Sequence, residues 1–183
     1  MRNATELLTG YAEYHRDRRN IATHLIGVPM IVFGVGVLLA RPAFALGGLA
    51  LSPAWILFAL TAAWYLSRGD LIVGAAVSIV VGVLIALAHG VAYGSTASWL
   101  AWGLGSFVVG WVIQFVGHYF EGRKPAFVDD LAGLLVGPMF VTAEVLFVTA
   151  EVLFALGLCQ PLHAEIVRRA GPTLIRERRQ THA

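Results

Sequence analysis

In the stretch Val109–Phe127, VGWVIQFVGHYFEGRKPAF, an apolar run turns polar along one stripe. Trp111, Gln114, His118 and Glu121 fall at i, i+3, i+7 and i+10, which is one face of an α-helix. A second stretch, Tyr14–Pro29, carries His15, Asn20 and His24, with Asn20 and His24 one helical turn apart. Three imidazoles without a thiolate suit a borderline divalent metal such as iron, zinc or copper. The other nitrogen of a ligating ring is usually held by a carboxylate or carbonyl, and Glu121, Glu13 and Gln114 are available for that task. Taken singly, each histidine has a plainer use, as a helix cap or a group facing lipid headgroups.

Sequence distance separates these two stretches, so a scaffold must bring them together. Of the 183 residues 58% are hydrophobic and 13% charged, against roughly 45–50% and about 25% in ordinary globular chains. Mean hydropathy is +0.75. A domain this small cannot bury so much apolar surface in its own core, so most of it must face lipid. The expected fold is all-α: a polytopic membrane helix bundle of about four to five spans plus an N-terminal amphipathic helix. We read one integral membrane domain over 1–183, with an interfacial helix at 1–19, helical spans within 20–158 and a polar basic tail at 159–183. The pI near 9.0 reflects thirteen Lys and Arg gathered at chain ends and short loops. That distribution suits membrane lipid headgroups as partners and not nucleic acid, since no long basic face with interleaved aromatics exists. The single cysteine, Cys159, excludes an intrachain disulfide and a thiolate cluster.

Asn3 to about Arg19 reads as an amphipathic helix with Leu7, Leu8, Tyr11 and Tyr14 on its apolar side, and Asn3 or Thr5 as N-cap. Residues 1–20 lack the apolar core of a signal peptide, so the first apolar segment is expected to stay as an anchor. A second helix starts at Asn20, apolar from Ile21 to Ala40, with Pro29 expected to kink it. Pro53–Leu66, Leu71–Ala92, Trp99–Val116 and Leu131–Leu158 follow, with Gly74 and Gly82 as close-packing points. The last is about 28 residues long and is expected to tilt, break at Gly137-Pro138 or lie partly at the interface. It contains a tandem heptad, VTAEVLF at Val141–Phe147 and Val148–Phe154, read as a local duplication that lengthens the helix with Glu144 and Glu151 on one side.

Arg16, Arg18 and Arg19 precede the first span, which places the N-terminus in the cytoplasm. Alternation puts Arg68 inside, the uncharged Tyr93–Ser98 loop outside, and Arg123 and Lys124 inside again. A full fifth crossing would carry the arginine-rich tail outside, so the last segment is expected to re-enter or lie along the surface. On this topology His15, Asn20, His24, His118 and Glu121 share the cytoplasmic rim, provided the chain bends near Asn20. His89 ends its span roughly 27 Å away on the other side and is left out. His163 and His182 belong to the polar tail.

The pair YAEYHRDRRNIATHLIGVP (Tyr11–Pro29) and QFVGHYFEGRKPAF (Gln114–Phe127), with GPMFVTAE at Gly137–Glu144, resembles the signature of the membrane 2-hydroxy-palmitic acid dioxygenase family. The extra VTAEVLF heptad departs from that pattern. The resemblance implies an Fe(II)-dependent dioxygenase of fatty acid α-oxidation. It would take a long-chain 2-hydroxy fatty acid and O₂ to the acid one carbon shorter and CO₂. It further implies His15, His24 and His118 as iron ligands. Asn20, Gln114 and Glu121 would then position ligands or substrate, and Arg16, Arg123 or Lys124 would offset the substrate carboxylate at the interface. The expected location is the bacterial inner membrane, with the site on the cytoplasmic side. Two other readings stand beside it: a haem-binding electron-transfer protein with paired axial histidines, and a lipid-binding protein without catalysis.

Overall fold

The computed structural model describes residues 2–46, 49–155 and 168. Six α-helices account for nearly all of it: α1 (Ala4–Ala12), α2 (Arg18–Ala40), α3 (Pro53–Leu66), α4 (Leu71–Ala92), α5 (Thr96–Glu121) and α6 (Gly133–Ala155). Three of them, α2, α4 and α5, are long and apolar enough to cross a membrane, while α3 and the stretch Gly133–Val145 are shorter apolar helices. A short antiparallel hairpin, β1 (Phe44–Leu46) and β2 (Leu49–Leu51), links α2 to α3.

The outer faces of the bundle are apolar. Ile72, Ile79, Val83 and Leu87 on α4, and Leu104, Val108, Val112 and Phe115 on α5, are all about half exposed or more. Stripes of this size in water would drive association; in a bilayer they are the lipid-facing surface.

The N-terminal helix is shorter than expected. Asn3 caps α1 in a capping box with Glu6, its side chain accepting from the Glu6 N–H while Glu6 accepts from the Asn3 N–H. The helix stops at Ala12, and α2 begins at Arg18 with Asp17 as N-cap, accepting from the Arg19 N–H at 2.9 Å. The expected bend therefore falls at residues 13–17, upstream of Asn20. The helix α2 continues through Pro29 to Ala40 without a break.

The most intimate packing in the bundle is between α2 and α5. Gly27 and Gly34 on α2, and Gly103, Gly110 and Gly117 on α5, recur every seven residues and form the seam. A Cβ at Gly34 would lie 2.7 Å from the Gly103 carbonyl oxygen, and one at Gly27 would lie 2.9 Å from the Gly110 carbonyl oxygen. Only hydrogen at these positions lets the two backbones approach so closely. Gly74 and Gly82 do the same for α4 against α3, where Cβ atoms would meet Tyr65 O at 2.8 Å and the Phe58 ring at 3.1 Å. The Tyr65 hydroxyl donates to the Leu135 carbonyl at 3.0 Å and ties α3 to α6.

The helix ends sort as the charge pattern predicts. At one end the Ala4 N–H donates to the Arg68 carbonyl at 2.9 Å, and Arg123 donates to the Glu13 carbonyl at 3.0 Å. At the other end Arg41 donates to Thr96 at 3.2 Å, and the Trp99 indole donates to the Val37 carbonyl at 2.8 Å. The polar basic tail at 159–183, and with it Cys159, His163 and His182, lies outside the described residues apart from residue 168. So do the side chains of the second VTAEVLF copy, although the α6 backbone runs on through it to Ala155.

Candidate metal centre

The bend at 13–17 swings His15 back over the first turns of α2. There it meets His24, and the glycine seam brings in His118 from the last turn of α5. Ring centroids are 4.4 Å apart for His15 and His24, and 5.0 Å for His118 against each of them. One ring nitrogen from each of the three lies within 4.8 Å of the other two. All three side chains are buried, His15 completely.

The tautomers follow from the hydrogen bonds. His15 Nδ1 lies 2.7 Å from the Tyr11 carbonyl oxygen and His24 Nδ1 lies 2.8 Å from the Asn20 carbonyl oxygen. A carbonyl only accepts, so both Nδ1 atoms carry the hydrogen and both Nε2 atoms carry lone pairs. Those two Nε2 atoms face each other at 3.1 Å. Two buried acceptors at that distance repel unless something positive lies between them. Metal–imidazole bonds of about 2.1 Å put neighbouring nitrogens about 3.0 Å apart at a right angle and about 3.4 Å apart at a tetrahedral angle. The observed spacing falls between the two, so the His15–His24 pair fits a divalent metal ion, with a nitrogen of His118 within 4.8 Å of both. Burial, reinforced by the neighbouring imidazoles, holds His15 well below the usual imidazole pKa. The neutral ring is the form that ligates.

Around the histidines lies a polar layer. Glu121 is buried, and its Oε2 accepts from the Arg16 N–H at 3.0 Å, the Asp17 N–H at 2.8 Å and Asn20 Nδ2 at 3.1 Å. One carboxylate from the end of α5 thus clamps the loop that follows His15 to the start of α2. Asn20 serves twice, its amide bound by Glu121 and its carbonyl holding His24. The Asp17 carboxylate is paired with Arg19, whose guanidinium lies 4.4 Å over the Phe120 ring.

From the histidines a cavity extends between α2, α5 and α6. His24, His118, Gln114 and Tyr11 line it at the polar end, and Val28, Ile31, Val32, Trp111, Phe127 and Leu134 line the rest. Along α2 the lining runs from His24 to Val32, about 12 Å toward the middle of the span. A second, more polar cleft sits beside it at the rim, lined by Arg2, Glu6, Glu13, Tyr14, Asp129 and Asp130 among others. Tyr11, Ala126 and Gly133 line both and form the wall between them.

Of the residues singled out from the sequence, His15, His24, His118, Asn20, Gln114 and Glu121 converge at this end of the bundle. The expected basic residues do not line the cavity. Arg123 is exposed and donates to Glu13, and Lys124 is exposed and pairs with Asp129. Arg16 is buried within the clamped loop but is not part of the described lining. His89 sits at the opposite end as a satisfied structural group: its Nδ1 donates to the Ile85 carbonyl at 2.8 Å, Ser52 Oγ is 2.9 Å from Nε2, and Trp55 stacks on the ring.

Two residues were missed as site groups. Tyr11 stacks on His15 with centroids 4.1 Å apart and planes 6° from parallel, and Phe140 packs against both rings at 5.1 and 5.5 Å. The i, i+4 spacing of Tyr11 and His15 was a legible signal for the first; nothing in the apolar run around Phe140 pointed to the second. The mutual contact of the three imidazoles leaves no slot between any two of them for a planar macrocycle held by paired axial histidines.

The family model described as 2-hydroxy-palmitic acid dioxygenase Mpo1-like matches residues 1–149. A curated relative, the 2-hydroxy-palmitic acid dioxygenase MPO1 of Saccharomyces cerevisiae, is 33% identical over 139 residues, covering 74% of this chain and 75% of the yeast protein. No solved structure matches.

Proposed function

The chain belongs to the Mpo1-like family, and from that premise we propose that it is an Fe(II)-dependent dioxygenase acting on long-chain 2-hydroxy fatty acids. The observation that carries the proposal is the meeting of three buried imidazoles, two with facing lone pairs 3.1 Å apart, at the head of an apolar cavity. The reaction balances as R–CH(OH)–COOH + O₂ → R–COOH + CO₂ + H₂O. The C1–C2 bond breaks, C1 leaves as CO₂, C2 becomes the new carboxyl carbon, and the four electrons released reduce O₂ fully.

His15, His24 and His118 would hold the iron, which when bound supplies the charge that attracts the substrate carboxylate and the electrons that activate O₂. The chain's own residues do the rest. The Tyr11 and Asn20 carbonyls keep the Nε2 lone pairs of His15 and His24 turned inward. Glu121 holds the His15 loop in place. The lining from Val28 to Val32, with Trp111 and Leu134, takes the acyl chain and excludes water, each buried CH₂ contributing about 0.8 kcal/mol. Among the described residues no Arg or Lys lines the cavity, so a bound metal ion would supply the charge that balances the substrate carboxylate. By the positive-inside rule we further propose that this rim faces the cytoplasm, with the bacterial inner membrane as host.

The test uses protein purified in detergent, loaded anaerobically with Fe(II), then given 2-hydroxypalmitate and O₂. The expected products are the acid one carbon shorter and CO₂, in equal amounts. His15→Ala, His24→Ala and His118→Ala should lose both bound iron and product. A metal-replete wild type that yields no shortened acid refutes the proposal.

A further inference from the structure

Gln114 is the one cavity-lining side chain that the ligand set and its supports leave unexplained. It is only 4% exposed, and its Oε1 is buried with no hydrogen-bond partner among the described residues. It stands one helical turn from His118 on the same face of α5, and both line the cavity with His24. Its position is built: the side chain lies over Gly27 of α2, where a Cβ would come 3.3 Å from Gln114 Cγ and 3.4 Å from Cδ. A buried amide oxygen in an apolar wall is costly unless whatever occupies the cavity donates to it.

Resting on the dioxygenase reading above, we propose that the Gln114 amide is the specificity-determining group for the C2 substituent, its Oε1 accepting the hydrogen of the substrate's 2-hydroxyl. The chemistry of the two acids supports this choice. A 2-hydroxy acid and an unsubstituted fatty acid share the same carboxylate and chain, so neither the metal's charge nor the apolar lining separates them fully. They differ by one O–H donor at C2. An acceptor buried beside the metal centre is satisfied by the first and left unpaired by the second. A site built to bond a hydroxyl rejects the analogue lacking it far more strongly than an apolar pocket rejects a changed carbon skeleton. Tyr11 also lines the cavity, with its ring stacked on His15.

The experiment measures binding apart from turnover. Full-length protein in detergent is loaded with Zn²⁺, which supports no redox chemistry, and titrated calorimetrically with 2-hydroxypalmitate and with palmitate. Gln114→Met keeps the length and removes the acceptor; Gln114→Leu is the second variant, and Zn²⁺ affinity reports for each whether the metal centre has folded. In both variants the ratio of the two affinities should fall by about 10-fold or more, the loss of one hydrogen bond to a buried group, through weaker binding of the hydroxy acid. Zn²⁺ affinity should stay within about twofold of wild type, and palmitate affinity should hold or rise, because the acceptor it leaves unpaired is gone. A ratio unchanged in a variant that binds Zn²⁺ normally overturns the inference, and so does a wild type without preference for the hydroxy acid. Iron-loaded wild type that makes the shortened acid while Gln114→Met keeps the full preference refutes the amide's role and leaves the dioxygenase reading standing. A Gln114-dependent preference without any shortened acid does the reverse.

Discussion

Adding a single methyl group at Gly117 tests whether the helix seam, and not only the three histidines, makes the candidate metal centre. Gly117 directly precedes His118, and a Cβ there would overlap the Thr23 hydroxyl and lie 2.5 Å from Asn20 Oδ1. Ordinary contact needs about 1 Å more. Neither neighbour yields freely: Thr23 Oγ1 donates to the Asn20 carbonyl at 2.7 Å, and the Asn20 amide is held by Glu121 at 3.1 Å. The same Asn20 carbonyl also orients His24. Overpacking of this kind costs about 1–3 kcal/mol, and the gain in helix propensity for Gly→Ala offsets about 1 kcal/mol of it. Gly117→Ala is therefore expected to change thermal stability by only about 0–2 kcal/mol. Its metal affinity should fall by about 10-fold or more, because His118 and His24 are pushed apart from both sides.

Gly90→Ala provides the control, since nothing lies within 4 Å of a Cβ there; it should raise stability slightly and leave metal affinity alone. Thr23→Ala combined with Gly117→Ala removes one of the two obstacles and should recover part of the loss, a coupling that a double-mutant cycle measures. The assays are thermal melts in detergent and Zn²⁺ or Fe(II) titration. If Gly117→Ala binds metal as tightly as wild type, the helix approach does not set the geometry of the centre and the reasoning fails.

Glu121→Ala strands two backbone N–H groups and the Asn20 amide in a buried place; it should lose about 3–5 kcal/mol of stability in a melt and weaken metal binding through His15. Glu121→Gln, which keeps an accepting oxygen, should fall between. For the metal-free protein the sign of the pH dependence follows from His15, whose folded pKa lies well below the ordinary 6.5. As pH drops below about 6.5 the unfolded chain takes up the proton first, so melting temperature should fall over that range and level off only at the lower folded pKa; a melting temperature that rises on acidification contradicts this. Arg123→Ala and Lys124→Ala, both exposed and engaged elsewhere, should change KM for the 2-hydroxy acid by less than about twofold in steady-state assays, and a large rise in KM would return them to the binding site.

Much of the fold was legible because lipid is an unforgiving solvent. Apolar runs of span length, Pro and Gly at their ends and basic residues on alternate loops are all local signals, and they placed the long helices and the sides to which their ends sort. The chemistry-bearing residue types were legible for the same reason: an imidazole or carboxylamide within such runs stands out. The glycine recurrence at 27, 34, 103, 110 and 117 was equally present in the sequence, but its meaning depends on two helices lying face to face, which no local pattern states.

Distances were out of reach for the sequence. From the sequence, the first helix ends near Arg19 and the second begins at Asn20; periodicity does not show that α1 stops at Ala12 and α2 restarts at Arg18, and that earlier break is what carries His15 back to His24. The basic residues near the second motif looked well placed for a carboxylate by proximity along the chain, and the fold turned them outward to Glu13 and Asp129. Residue types and their order thus specified the solvent, the helices and the kind of candidate ligand. The 3.1 Å opposition of two lone pairs, the clamp by Glu121 and the orphaned oxygen of Gln114 exist only once three helices are packed, because each is a relation between atoms that the chain holds far apart.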